Sequence, residues 1–337
     1  MSVKARQSTP GFFSVPQQRR FRKNILAWYD RHARDLPWRA SHDPYRVWLS
    51  EIMLQQTRVA AVIEHYHEFL RRFPTVEKLA AAREASVLAV WSGLGYYRRA
   101  RMLHAAAKAI VRVHRGKFPA SEEGLRALPG IGRYTAAAIA SIAFGEPAAV
   151  VDGNVERVLQ RVSGKRLAGE ELWIAAGNLL DAKRPGDFNQ AMMELGAVVC
   201  TPRAPSCLTC PVVELCATRG ELAPKEKATP QKKREIHYAL NLRKEDRPNQ
   251  EVFLVQRPGD ASLMPGMWEL PELAGLNGTG TPSFTLRHSI TVTDFTVRVW
   301  QNGTAVGVGG KWIAQARLRQ IALTGLARKI LRKAKLL

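Results

Sequence analysis

Apolar residues recur with a helical period over the first two-thirds of the chain. Val59, Val62, Ile63, Tyr66, Phe69, Leu70 and Phe73 fall at i, i+3, i+4 and i+7, on one face of a helix. Before them, Asp43-Pro44 reads as an N-cap followed by a proline in the first helical turn. Alanine-rich helices are predicted at 102–113 and 134–144, and the pattern stays helical from Gln18 to about Gly220. Between Glu221 and Ile236 it changes to LAPKEKATPQKKREI, with prolines, basic residues and little that could form a core, which reads as a linker. Strand-like runs follow at Glu251–Gln256, Phe284–Arg287 and Ile290–Trp300, separated by Pro-Gly, Asn-Gly and Gly-Gly turns. A last helix-like run ends in Ala327–Leu337. The pattern predicts a flexible tail over 1–17, a helical domain over 18–220, a linker over 221–236 and a smaller α+β domain over 237–337.

Length and composition agree: 337 residues, 46% of them apolar, suffice for a core in each of two domains. Charge is lopsided, with 51 Lys and Arg against 29 Asp and Glu, a formal +22. Such a field attracts polyanions, and nucleic acid comes before membrane surface because the excess is spread along the chain. After Asp294 there are nine Lys or Arg and no acid, which suits a surface facing phosphates. No apolar stretch is long enough to span a bilayer, and the basic N-terminal segment lacks the apolar core of a signal peptide. The expectation is a cytoplasmic, reduced protein.

All four cysteines lie together, as Cys200, Cys207, Cys210 and Cys216 in the run Cys-x6-Cys-x2-Cys-x5-Cys. That concentration points to one metal or cluster site, and the compartment argues against disulfides. Spacing by itself leaves a structural zinc and an iron–sulfur cluster both open.

Two further segments carry candidate chemistry. Leu128-Pro129-Gly130-Ile131-Gly132-Arg133-Tyr134 joins two helical stretches. Gly130 and Gly132 would let the backbone approach a phosphate at the opening of the next helix, as in a helix-hairpin-helix DNA-binding module; a sharp helix–helix turn is the bland alternative. Twenty residues on, Asp152 in Val151-Asp152-Gly153-Asn154-Val155 occupies an N-cap position, where a carboxylate should stay ionised. Glu51, flanked by Trp48, Ile52 and Met53, is either an ordinary surface glutamate or a desolvated one with a raised pKa. Two carboxylates with separated pKa values form the pair that glycosidic cleavage needs, one acid and one stabiliser of oxocarbenium character.

The segments LSEIMLQQTRV, GLGYYRRARML, LPGIGRYTA, VDGNVERVL, FNQAMMELGAVVC and the cysteine run resemble the MutY family of adenine DNA glycosylases, within the endonuclease III-like superfamily, over nearly all of 18–220. The resemblance implies a mostly α helix-hairpin-helix glycosylase domain with a [4Fe–4S] cluster on Cys200, Cys207, Cys210 and Cys216, deciding against zinc. Relatives that also cut the backbone carry a lysine nucleophile just after the hairpin; here Tyr134 stands there, and neither Arg133 nor Lys108 replaces the amine, so a monofunctional enzyme is expected. The same resemblance makes Glu51 the acid that protonates adenine and Asp152 the oxocarbenium stabiliser, with Tyr134 and Asn154 holding them and the incoming water. It places Gln56 and Tyr96 in the duplex beside 8-oxoguanine, with Thr57 and Leu94 on the same side, and Trp38 and Arg39 at the adenine pocket wall. For Trp38 and Tyr96, core packing is the alternative. Double-stranded DNA with an 8-oxoguanine:adenine or guanine:adenine mispair is the implied partner of a monomeric protein.

Residues 262–271, SLMPGMWELP, resemble the segment leading into the catalytic helix of Nudix hydrolases, but the acidic magnesium-binding helix is replaced by LAGLNGTGTPSF. A pyrophosphohydrolase is therefore disfavoured, and a Nudix-like domain that recognises 8-oxoguanine is expected. Where MutY proteins usually show Phe-Ser-His, this chain has Ile290-Thr291-Val292, which leaves Thr291, Ser289 or His288 to read the damaged base. Two other readings compete: a lyase for oxidised pyrimidines, opposed by Tyr134, and a silent cluster-bearing DNA binder, opposed by the presence of both Glu51 and Asp152.

Overall fold

Capping chemistry sets the helix ends as the sequence predicts. In the computed structural model Asp43 Oδ1 accepts from the backbone N–H groups of Tyr45 and Arg46, at 2.7 and 3.1 Å, and Pro44 opens the helix. The structure describes residues 12–222, 232–243, 250–261, 263–273, 281–290, 293–302 and 309–337. Helices fill the first stretch: α1 Val15–His32, α2 Pro44–Leu54, α3 Val59–Arg72, α4 Val76–Ala80, α5 Glu84–Trp91, α6 Arg98–His114, α7 Glu122–Arg126, α8 Arg133–Phe144, α9 Gly153–Ser163, α10 Glu170–Leu179 and α11 Pro185–Val198. Between α11 and residue 222 the described residues make short 3-10 turns at Cys207–Thr209 and Val213–Leu215.

Chain contacts define two compact units, Met1–Gln56 with Ala106–Pro224, and Thr57–Ala105 with Lys225–Leu337. In the first, α1 contributes Phe21, Ile25, Leu26 and Tyr29, and α9 contributes Val155, Val158, Leu159 and Val162 at i, i+3, i+4 and i+7. Phe188, Ala191, Met192 and Leu195 of α11 complete that core. The chain is ordered earlier than the tail expectation allowed: Phe13 is buried, 5.8 Å from the ring of Phe21, and Ser14 caps α1. Residues 1–11 of that tail lie outside the described residues.

The second unit holds α3 to α5, the first half of α6 and the strands. The predicted stripe on α3 buries Val62, Tyr66 and Phe69, and Phe69 meets Trp91 edge-on at 6.0 Å. Strand β1, Lys232–Leu240, starts inside the stretch read as linker. Its first four residues are exposed and only Tyr238, Ala239 and Leu240 are buried, so its sequence has no core pattern at the start. The other strands are β2 Leu242–Arg243, β3 Glu251–Gln256, β4 Trp268–Glu269, β5 Phe284–Ile290, β6 Thr293–Gln301 and β7 Gly310–Ala314. β3 matches its predicted bounds, whereas β5 continues to Ile290 and β6 begins only at Thr293. One sheet has the order β1-β6-β5, with β1 parallel and β5 antiparallel to β6. In the other, β2, β4 and β7 all pair antiparallel with β3. Helix α12, Gly325–Lys333, places Leu326, Ala327, Ile330 and Leu331 in one core with Tyr238, Leu240, Val252, Leu254, Val297 and Val299.

Segment Thr57–Ala105 groups with the C-terminal part of the chain, to which its residues bond: Arg101 Nη2 donates to the Pro265 carbonyl and Tyr97 Oη to the Leu323 carbonyl. The composition break at 221–236 carries no trace of that.

Candidate active site

Glu51 lies on α2 with its side chain turned inward, among Trp48, Ile52 and Met53, and is only 6% exposed. Burial pushes its carboxyl up to about 7; the nearby Asp152 adds to the rise, while a hydrogen bond from Tyr134 and the charge of Arg39 oppose it. Tyr134 is in the first turn of α8, and its hydroxyl donates to Glu51 Oε2 at 2.6 Å. The surface alternative for Glu51 is thereby overturned.

Asp152 is the N-cap of α9. Its Oδ1 accepts from the backbone N–H groups of Asn154 and Val155 at 2.9 and 2.7 Å, and its Oδ2 accepts from Asn154 Nδ2 at 3.0 Å. Burial raises the pKa of this cap carboxyl, and the hydrogen bonds of Val155 and Asn154 and the charge of Arg157 counter that rise. Asn189 fixes the approach to this cap. Its amide donates to Ser141 Oγ and the Ala148 carbonyl at 2.9 and 2.8 Å, and its oxygen accepts from Val150 N at 3.2 Å.

Beside Met193, which receives a weak contact from Tyr134 Oη at 3.4 Å, Glu194 is buried between two arginines. Arg34 Nε and Arg39 Nη2 donate to its two oxygens at 2.6 and 2.8 Å. Burial would raise this carboxyl, but the guanidiniums outweigh it and hold it at about 2. Arg39, expected at a pocket wall, is therefore clamped, with its guanidinium also 5.4 Å from the Tyr29 ring centroid. Trp38 is buried in the 3-10 turn Pro37–Arg39. Sequence reading missed Arg34, Glu194 and Asn189; the last two lie inside the quoted FNQAMMELG run, but no spacing rule marked them.

Two arginines one turn apart on α9 hold the cysteine loop. Arg157 Nη2 donates to Asn154 Oδ1 and the Gly196 carbonyl, and its Nε to the Cys200 carbonyl at 2.7 Å. Arg161 donates to the carbonyls of Thr201 and Pro202 and approaches Cys200 Sγ at 3.4 Å, while its own carbonyl accepts from Thr218. Cys200, Cys207, Cys210 and Cys216 line one small cavity together with Arg161, Val199 and Val212. Burial and the neighbouring thiols push the Cys210 thiol to about 11, so a full set of thiolates there calls for bound positive charge. Among the described residues no group of three or more His, Cys, Asp or Glu is gathered as for a single metal ion.

The hairpin forms as predicted between α7 and α8. Gly130 takes a left-handed φ of +72°, Ile131 is buried beneath, and a side chain at Gly132 would meet nothing within 4 Å. Arg133, which follows the hairpin, is paired with Glu170 at 2.6 and 3.1 Å and lies 4.0 Å over the Trp173 ring. Gln56 is exposed with φ +56°. In the other unit, Thr57 Oγ1 accepts from Arg99, and Tyr96 is half-exposed with φ +46°. Leu94, expected on the same side as Thr57, is buried. His288 is on β5, with burial and Lys329 lowering its pKa, and Ser289 Oγ donates to Asp294 Oδ1 at 2.5 Å. Thr291 lies outside the described residues.

The HhH-GPD superfamily of base excision DNA repair proteins matches residues 49–170. An adenine DNA glycosylase of Mus musculus is 41% identical over 324 residues, covering 78% of this chain and 62% of that protein. The one from Homo sapiens is 48% identical over 223 residues, covering 62% of this chain and 41% of that protein. The chain thus spans about two-fifths to three-fifths of the length of these relatives. A solved thermostable thymine-DNA glycosylase superposes with a TM-score of 0.57 at 30% identity, covering 60% of this chain and 97% of that one. With its helical framework, hairpin and buried acid, the chain belongs to the HhH-GPD superfamily of base excision DNA repair proteins.

Proposed function

We propose that this protein is a monofunctional DNA glycosylase that removes adenine mispaired with 8-oxoguanine or guanine. The observation that carries the reading is the buried Glu51–Tyr134 pair beside Asp152: an acid poised at about pH 7 next to a carboxyl held by Asn154 and a helix N-terminus. Adenine is a poor leaving group until protonated. With the base flipped out of the duplex, protonated Glu51 gives its proton to the adenine ring as the C1′–N bond breaks. The bonding pair leaves with the base. Asp152 as carboxylate supports the positive charge at the sugar, and water adds at C1′, leaving an abasic site. Glu51, now ionised, can take up the proton that water loses. Tyr134 donates to the ionised form of Glu51 and offers no amine for a Schiff base, which supports hydrolysis without strand cutting.

The relatives' printed names support adenine as the base, and the net charge of +22 supports duplex DNA as the partner. The four cysteines around one cavity suit a [4Fe–4S] cluster, which has several metal atoms to span the ring of thiols where a single zinc reaches only about 2.3 Å to each. Such a cluster would order the 200–216 loop, to which Arg157 and Arg161 tie α9. In this reading Gln56, Thr57 and Tyr96 face the duplex, and the hairpin glycines Gly130 and Gly132 face a phosphate. The strands beyond the 221–236 break form a Nudix-like domain in which His288, Ser289 or Thr291 reads 8-oxoguanine. The protein would act as a monomer where the DNA is, in the cytoplasm.

Single-turnover release of adenine from duplexes with adenine opposite 8-oxoguanine, guanine or thymine tests the proposal. Release from the two purine mispairs, nicks only after alkali, and loss of release in Glu51→Gln are expected. Nicking without alkali would overturn the monofunctional assignment, and tight binding with no release would leave a silent DNA binder.

A further inference from the structure

The turn between α5 and α6 is held by parts of the chain more than 160 residues away. Tyr97 Oη and Ser92 Oγ both donate to the Leu323 carbonyl, at 2.8 and 3.1 Å, and Arg328 Nε donates to Ser92 Oγ at 3.0 Å. Arg101 Nη2 donates to the Pro265 carbonyl at 2.6 Å. Leu323 itself is fixed beside β4, because Trp268 N donates to the Ala322 carbonyl and Thr324 N to the Trp268 carbonyl. Ser92, Tyr97, Leu323 and Thr324 are all buried. The Nudix-like Pro-Gly-Met-Trp segment and the entry to α12 thus form a dock for this turn.

What the dock supports is a strained loop. Gly93 has φ +114°, and a Cβ there would stand 3.0 Å from His65 Nε2; Gly95 has φ +71°. Tyr96 takes φ +46°, which a residue with a side chain keeps only where its surroundings over-determine it. From the α6 side, Arg99 donates to the Leu94 carbonyl at 3.1 Å and lies 5.4 Å from the Tyr96 ring centroid. Tyr96 remains half-exposed on this clamped turn.

We propose that the segment Leu323–Arg328 positions Tyr96, with Ser92, Tyr97 and Arg328 as positioning residues that hold the turn in the shape presenting that ring. The inference rests on the proposed function, in which Tyr96 enters the duplex where adenine leaves. It gives the C-terminal part of the chain a share in base extrusion, apart from reading the opposite base.

The test uses the full chain and a duplex with 2-aminopurine in place of the adenine opposite 8-oxoguanine, following extrusion by its fluorescence rise. Tyr97→Phe, which keeps the ring and removes one hydroxyl, and Arg328→Ala should each slow extrusion about fivefold, roughly what losing one hydrogen bond carries. Arg328→Lys, which keeps a donor within reach of Ser92, should recover most of the rate. In a Tyr96→Ala background the Arg328→Ala change should add nothing. Wild-type rates in both single variants would overturn the inference, as would an undiminished Arg328→Ala loss in the Tyr96→Ala background. If the unsubstituted protein extrudes no base, the proposed function fails and takes this inference with it.

Discussion

Glu51 and Glu194 are both buried glutamates, and their surroundings drive them in opposite directions. Glu194 meets two guanidiniums and is held at about 2; Glu51, buried and near a second carboxyl, rises to about 7 against the hydrogen bond from Tyr134. For Glu51 the raised pKa means that the folded state binds the proton more tightly than the unfolded chain. Its stabilising contribution is therefore present below 4.5 and is lost as pH rises through 7. A carboxyl moved from 4.5 to about 7 corresponds to about 3 kcal/mol. Glu51→Gln should match the parent in urea midpoint near pH 4.5 and exceed it increasingly up to pH 8, while adenine release is lost. A stability difference that stays flat with pH would show that Glu51 is not desolvated.

Helices α9 and α11 meet where Gly196 faces Asn154. A Cβ on Gly196 would come 2.6 Å from Asn154 Cβ, closer than real Cβ atoms come, and 3.0 Å from its backbone. Gly196→Ala should cost about 1–3 kcal/mol, as overpacking does, and should shift the Asn154 amide that donates to Asp152. The expected outcome is a lower melting midpoint together with slower adenine release, measured well below that midpoint. Unchanged release would mean that the cap tolerates movement of α9. The helices themselves were legible, because Val155, Val158, Leu159 and Val162 follow the helical period. Gly196 carried no such signal: a helix-interior glycine declares its purpose only when the neighbouring helix is in place.

Over the whole molecule, positive charge outnumbers negative by 22, yet several arginines are spent internally, on Glu170, Glu194 and the cysteine loop. Affinity for duplex DNA should still fall steeply with salt. Contacts to six to ten phosphates would lower it by roughly 10³–10⁵ between 50 and 200 mM. Anisotropy titrations at several salt concentrations give the slope, and a slope near zero would mean that the excess charge lies away from the DNA.

From the sequence by itself came the helical first part, the Asp43 and Asp152 caps, the hairpin between α7 and α8, strand β3 and the grouping of the cysteines. Each is a local pattern, set by side chains within a turn or two of one another. The resemblance carried the pairing of Glu51 with Asp152, since nothing local relates residues a hundred positions apart. Tertiary structure decided the rest: that Glu51 is buried, that Leu94 is buried, that Arg133 and Arg39 are held by carboxylates, and that Thr57–Ala105 groups with the C-terminal part of the chain. Burial and long-range pairing depend on what the rest of the chain brings alongside a residue, and that is settled only when the chain has folded.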